Sequence, residues 1–143
     1  MPTASSGPRL ISSSWHMDPE AVNAAMRSGM AAAIWRQDNA VSEVQAAPDP
    51  VGSRVSIALQ PLHGQIWYDG RLQAKGTLDA GGCLVVPSGV QTRGIMREGW
   101  RILHVYVPDA FLRRTMAEAG MNRPVEIIPR RAAAHPILSG LAH

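Results

Sequence analysis

The residues able to carry chemistry are few and dispersed. The histidines are His16, His63, His104, His135 and His143, and no two are spaced as neighbouring ligands on a strand or helix. No cysteine or carboxylate cluster accompanies them, so the sequence offers no metal site. Ser88 lies in Pro87-Ser88-Gly89, which lacks the Gly-x-Ser-x-Gly elbow of a hydrolase and precedes a strand pattern instead of a helix. Asp69, Asp79, Glu98 and Asp109 each fall at a turn or cap, where carboxylates serve the backbone. No pair of them sits in an apolar setting that would split two pKa values for acid–base work. Gly81-Gly82 leads into a strand, not a helix, and is no phosphate cradle. Cys83, in Gly82-Cys83-Leu84-Val85-Val86, reads as a buried structural thiol. The expectation is no catalytic group, no metal and no cofactor. What remains is Leu103-His104-Val105-Tyr106-Val107. On a strand Ile102, His104 and Tyr106 share one face. An imidazole and a phenol among apolar neighbours suit the wall of a small-molecule cavity.

These side chains need a scaffold, and the chain is long enough for one. Its 143 residues are 45% hydrophobic, enough for a single buried core. Lys+Arg 14 against Asp+Glu 11 leaves a net charge of +3, and the arginines are scattered, with Lys75 the only lysine. Direct nucleic-acid binding needs a basic stripe, so none is expected of this segment. The apolar run Met30–Trp35 is far short of the ~20 residues of a membrane span, and the polar start Met1-Pro2-Thr3-Ala4-Ser5 lacks a signal-peptide core. With Cys83 alone, a reducing cytoplasm is the expected location.

The periodicity changes twice along the chain. Residues 1–16 are rich in Ser, Gly and Pro and are expected to be mobile. Asp18-Pro19-Glu20 carries helix-start chemistry and predicts a helix up to Gly29, with Met30–Trp35 a short strand after it. Residues 46–52, with two prolines and a glycine, form a loop. From residue 54 the period is two: Val55, Ile57 and Leu59 alternate with Arg54, Ser56 and Gln60, as in a half-buried strand. Strands follow over 62–68, 71–78, 83–86, 90–97 and 100–107, separated by Asp69-Gly70, Gly81-Gly82, Pro87-Ser88-Gly89 and Glu98-Gly99 turns. Their spacing means a β-sandwich or small barrel. The period then returns to 3.6, with Phe111, Leu112, Thr115, Met116 and Ala119 on one stripe and Gly120 as a stop. A short strand over Val125–Ile128 is followed by a helix start at His135-Pro136. That last helix is too short to stand alone, so 135–143 reads as the beginning of an element in a longer protein.

Gly81, five residues, Pro87, one residue, Gly89, then two residues to Thr92 resembles the second sequence motif of the cupin superfamily. In metal-binding cupins that last position is a histidine ligand; here it is Thr92. The earlier His-x-His motif has no counterpart either, since Gln65 follows His63. The order of Trp67-Tyr68-Asp69-Gly70-Arg71, Gly81–Pro87 and Leu103-His104-Val105-Tyr106-Val107-Pro108 is similar to the N-terminal sensor domain of AraC-family transcription regulators. The likeness runs over about residues 30–143 and is clearest from Trp67 to Met116. It implies a mainly β fold: a cupin-like double-stranded β-helix (jelly-roll barrel) with an N-terminal helix and one or two C-terminal helices. The sensor domain would span 17–134. The resemblance further implies a small-molecule effector, a homodimer, and DNA binding only through helix-turn-helix units outside this segment. Candidate ligand-binding residues are Trp35, Trp67, Thr92, Met96, Ile102, His104 and Tyr106. The alternatives are a metal-independent cupin enzyme of the isomerase or epimerase type, using His104 and Tyr106, and a dimer scaffold that binds nothing.

Overall fold

A computed structural model describes residues 6–23, 29–120 and 131–132. Strands dominate: β1 (Ala21–Asn23), β2 (Ala31–Gln37), β3 (Ser42–Ala46), β4 (Gly52–Ala58), β5 (Leu62–Tyr68), β6 (Arg71–Leu78), β7 (Cys83–Val86), β8 (Thr92–Met96), β9 (Trp100–Pro108) and β10 (Arg131–Ala132). Two helices complete the description, α1 (Ser6–Trp15) and α2 (Asp109–Glu118). One sheet has the order β1-β2-β9-β4-β7-β10 and the other β3-β8-β5-β6. All pairings are antiparallel. Stripped of its edge strands β1 and β10, the first sheet interleaves β2-β9-β4-β7 while the second interleaves β3-β8-β5-β6. This is the eight-stranded, two-sheet jelly roll, the mainly β architecture expected from strand spacing.

Turn chemistry accounts for the register. Asp69 and Gly70 both adopt positive φ, 49° and 79°, as the two-residue hairpin joining β5 to β6 requires. Gly64 is needed for a different reason: a Cβ there would run into the backbone carbonyl of Ile95 on the neighbouring β8. Along β9 burial alternates strictly, with Trp100, Ile102, His104 and Tyr106 buried and the residues between them half-buried. The core joins Trp35, Ala46, Leu62, Leu84, Met96 and Trp100 from the two sheets with Ile11 of α1.

Several elements differ from the sequence reading. Ser6–Trp15 is a helix whose Ile11 is fully buried, so tertiary docking outweighs the composition that predicts mobility. Ala21–Asn23 is an edge strand paired with Ile34–Ala32 of β2, not the middle of a helix. Glu20, expected to complement a helix dipole, instead accepts a hydrogen bond from Arg101 Nε at 2.8 Å, and its N–H donates to the Ile34 carbonyl. The strand β3 replaces what periodicity leaves unassigned. The half-buried assignment is overturned along β4, both faces of which are largely covered, while Leu59 is buried and Gln60 exposed as expected. On α2, Phe111, Leu112 and Met116 are half-buried while Thr115 and Ala119 are exposed, so its apolar stripe is narrower than expected. The helix has no fully buried residue. Gly120 follows it with φ 75°. The strand expected at 125–128 and the helix from His135 lie outside the described residues. Among the described residues, no helix is long and apolar enough to cross a membrane.

Candidate functional site

The interior between the sheets is a cavity lined by residues of both. Thr92, Gly94 and Met96 reach it from β8, Ile66 and Tyr68 from β5, Ile102 and His104 from β9, and Arg54 and Ser56 from β4, with Trp15 contributed by α1. About 40 Å³ of it is open to the centre of a water molecule, room for ordered water or a small guest. The walls are mostly apolar and the polar groups few, as small-molecule sites require.

Most of those polar groups are already engaged. Trp35 Nε1 donates to the Tyr106 hydroxyl at 2.9 Å, and the same oxygen lies 2.9 Å from His104 Nδ1. Burial, reinforced by the Arg54 charge, drives the His104 pKa well below its ordinary value, so the imidazole is neutral. The assignment that uses the Tyr106 hydroxyl proton sends it to Nδ1 and places the ring proton on Nε2. Tyr68 donates to the Val85 carbonyl at 2.9 Å, and its pKa is pushed up to about 12 by burial against the opposing pull of Arg54. Tyr106 is raised for the same reason. Both phenols are neutral donors.

Arg54 is the exception. It is 8% exposed, and its Nη2 donates to Thr92 Oγ1 at 3.0 Å, but its buried Nε has no partner. Burial lowers its pKa below the usual arginine value. A guanidinium remains charged in proteins nonetheless. Trp15 Nε1 is the second buried donor left without a partner. Its ring meets those of Trp35 and Trp100 edge-on at 5.4 and 5.5 Å and lies 5.2 Å from His104.

The candidates read from the sequence thus separate. Thr92, Met96, Ile102 and His104 line the cavity. Trp35 is fully buried behind it, and Tyr106 borders a smaller hollow beneath α1 with Gly7, Ile11 and Arg54. Trp67 does not face the interior: it pairs across the sheet with Arg93, whose guanidinium lies 4.9 Å over its ring. Together they rim an outer hollow of about 160 Å³. There Arg93 is neutralised by Glu43 at 2.6 Å, so the outer hollow has no unsatisfied charge. Sequence reasoning missed Arg54, Ser56, Trp15 and Tyr68. Arg54 and Ser56 occupied the polar phase of an alternating strand, the phase normally given to solvent.

The strand order makes the barrel cupin-like. No protein-family model matches the sequence, and no curated protein is similar to it at a significant level. Solved structures similar to it in fold include the EutQ protein of Clostridium difficile, at 14% identity and TM-score 0.43, covering 55% of this chain and 52% of that one. The cupin domain of Schizosaccharomyces pombe Cnp3 is 14% identical, TM-score 0.48, over 72% and 71% of the two chains. A cupin-2 domain containing protein from Shewanella frigidimarina is 21% identical, TM-score 0.45, over 62% and 80%. The chain spans about half the length of the EutQ chain it matches. No residue role passes from these proteins to this one.

The residues of this barrel do not fit a metal. Thr92 stands at the motif's ligand position, and its Oγ1 accepts from a guanidinium, a fixed cation that would repel a second. His63 is engaged with Thr77 at 2.9 Å and Glu98 at 3.5 Å. Among the described residues, no three His, Cys, Asp or Glu side chains gather as a ligand set. The two orphaned buried atoms are donors, whereas a metal needs acceptors.

Proposed function

We propose that this chain is the ligand-sensing and dimerisation domain of an AraC-type transcription regulator, taking a small effector into a metal-free barrel in the cytoplasm. It would control helix-turn-helix units carried elsewhere in the protein, and DNA would be met only through those units. The observation that carries this reading is the apolar interior cavity with buried donors that nothing in the described chain satisfies. Native proteins rarely leave such groups idle, and a bound effector supplies the partner. The order and spacing of the Trp67–Tyr68, Gly81–Pro87 and Leu103–Pro108 segments supply the regulator resemblance. Binding is favoured over catalysis by the state of His104 and Tyr106. An isomerase needs a proton-transfer pair open to substrate, and the Tyr106 oxygen is occupied by both Trp35 and His104.

A thermal-shift screen of small organic acids, sugars and aromatic compounds tests the reading. A true effector at one hundred times its Kd stabilises the domain by ~2.7 kcal/mol. Sedimentation of the same samples reports the dimer. A dimer whose melting midpoint no compound class moves would overturn the proposal in favour of the scaffold that binds nothing, and a monomer that no compound moves would overturn both.

A further inference from the structure

We infer that the effector is a small monocarboxylate, its head group received by Arg54 and its short apolar tail lying against Leu62, Ile66, Leu84, Met96 and Ile102. This rests on the effector-binding reading and adds the chemistry of the ligand.

Charge is the first argument. Arg54 lies on β4, between β9 and β7 in the sheet, and forms no ion pair among the described residues. Asp49 borders a hollow beside it and acts on it through space, but makes no ion pair with it, its Oδ1 accepting the Val51 N–H at 3.0 Å. An unpaired buried charge is expensive, and a guanidinium cannot escape the cost by losing its proton. No carboxylate contacts the guanidinium among the described residues, so a bound anion would supply the contact it lacks.

Valence and shape narrow the class. His104 is neutral and the phenols Tyr68 and Tyr106 are uncharged, while Arg93, which also borders the cavity, is paired with Glu43. The interior thus offers one positive charge, matching a monoanion and not a phosphate dianion. The planar guanidinium fork fits a planar carboxylate through two parallel hydrogen bonds, and Nε, the unpartnered atom, is one edge of that fork. Trp15, which also lines the cavity, carries a further buried donor, Nε1, without a partner. Both orphaned atoms are donors, so the ligand must be rich in acceptors where it meets them. Size sets the tail: with about 40 Å³ open to the centre of a water molecule, only a short chain fits beside the head group.

Propionate and its neutral near-isostere propionamide are the probes, titrated into the full chain by calorimetry. Propionate is expected to bind at least tenfold more tightly than propionamide, and Arg54→Gln to lose at least tenfold of the propionate affinity. In wild-type protein labelled with ¹⁵N-arginine, the Nε–H resonance of the buried guanidinium should shift with propionate and not with propionamide; this holds even if Arg54→Gln fails to fold. Equal binding of acid and amide, an unmoved resonance, or full affinity in a folded Arg54→Gln protein overturns the carboxylate assignment while leaving an effector-binding barrel intact. If neither probe binds, the carboxylate assignment fails, and the broader compound screen decides the effector reading separately.

Discussion

Burial and the neighbouring Arg54 charge both oppose protonation of His104, and this fixes the sign of a pH effect. In the unfolded chain the imidazole titrates near its ordinary value of ~6.5; in the folded chain its pKa is well below that. Between the two, the unfolded state binds more protons, so folding stability falls as pH drops below about 6.5. The loss from this one group is at most ~1.4 kcal/mol per pH unit until the folded pKa is reached. Urea unfolding at pH 7.5, 6.0 and 5.0 should show the decline, and His104→Gln should flatten it; an unchanged slope in the variant would assign the effect elsewhere. Arg54 predicts the opposite trade. Arg54→Met keeps much of the stem and removes an unpaired buried charge, so the unfolding free energy should rise by ~1–2 kcal/mol. A destabilised Met variant would mean that the guanidinium has a structural counterpart. Ile102 and His104 were legible as sharing one face because strand alternation places them, and Thr92 and Met96 as inward-facing through the resemblance to the cupin motif. Arg54 was not, because alternation assigns a charged residue to solvent, and the rule fails where a buried charge is kept.

α1 closes one side of the cavity with Trp15 and seats Ile11 in the core. Its close approach depends on Gly7, where a Cβ would collide with the Tyr106 ring. Gly7→Ala should cost ~1–3 kcal/mol through this overpacking. It should also red-shift the tryptophan emission as Trp15 loses its seat against Trp35 and Trp100. Unaltered emission would show that the helix adjusts without undocking. Legibility at this scale followed the turns. From β5 to β9 turn residues mark the strand ends, burial alternates along β8 and β9, and the observed bounds lie within two residues of the reading. The N-terminal third carried misleading chemistry. A Ser-, Gly- and Pro-rich segment became a helix because its few apolar residues found a core, and Asp18-Pro19-Glu20 preceded an edge strand because β2 offered Ala21–Asn23 a hydrogen-bonding partner.

Across the whole molecule, closure of the jelly roll brings β2 beside β9 and β3 beside β8, pairings between segments dozens of residues apart that no local pattern encodes. The same closure disperses charge. Arg36 pairs with Asp38, Arg93 with Glu43 and Arg101 with Glu20 at exposed or half-exposed positions, and Arg54 is buried. With a net charge of only +3, the chain carries little excess positive charge to follow a phosphate backbone, which is the dominant source of nucleic-acid affinity. In a gel-shift assay this chain should therefore bind duplex DNA weakly at about 50 mM salt and lose the complex by about 200 mM, where released counterions no longer favour association. Shuffled and unshuffled duplexes should behave alike, because direct readout needs an element in a groove with side chains on base edges. Sequence-selective retention at the higher salt would mean that residues 1–143 read DNA themselves, and would move the regulatory function out of the barrel and onto its surface.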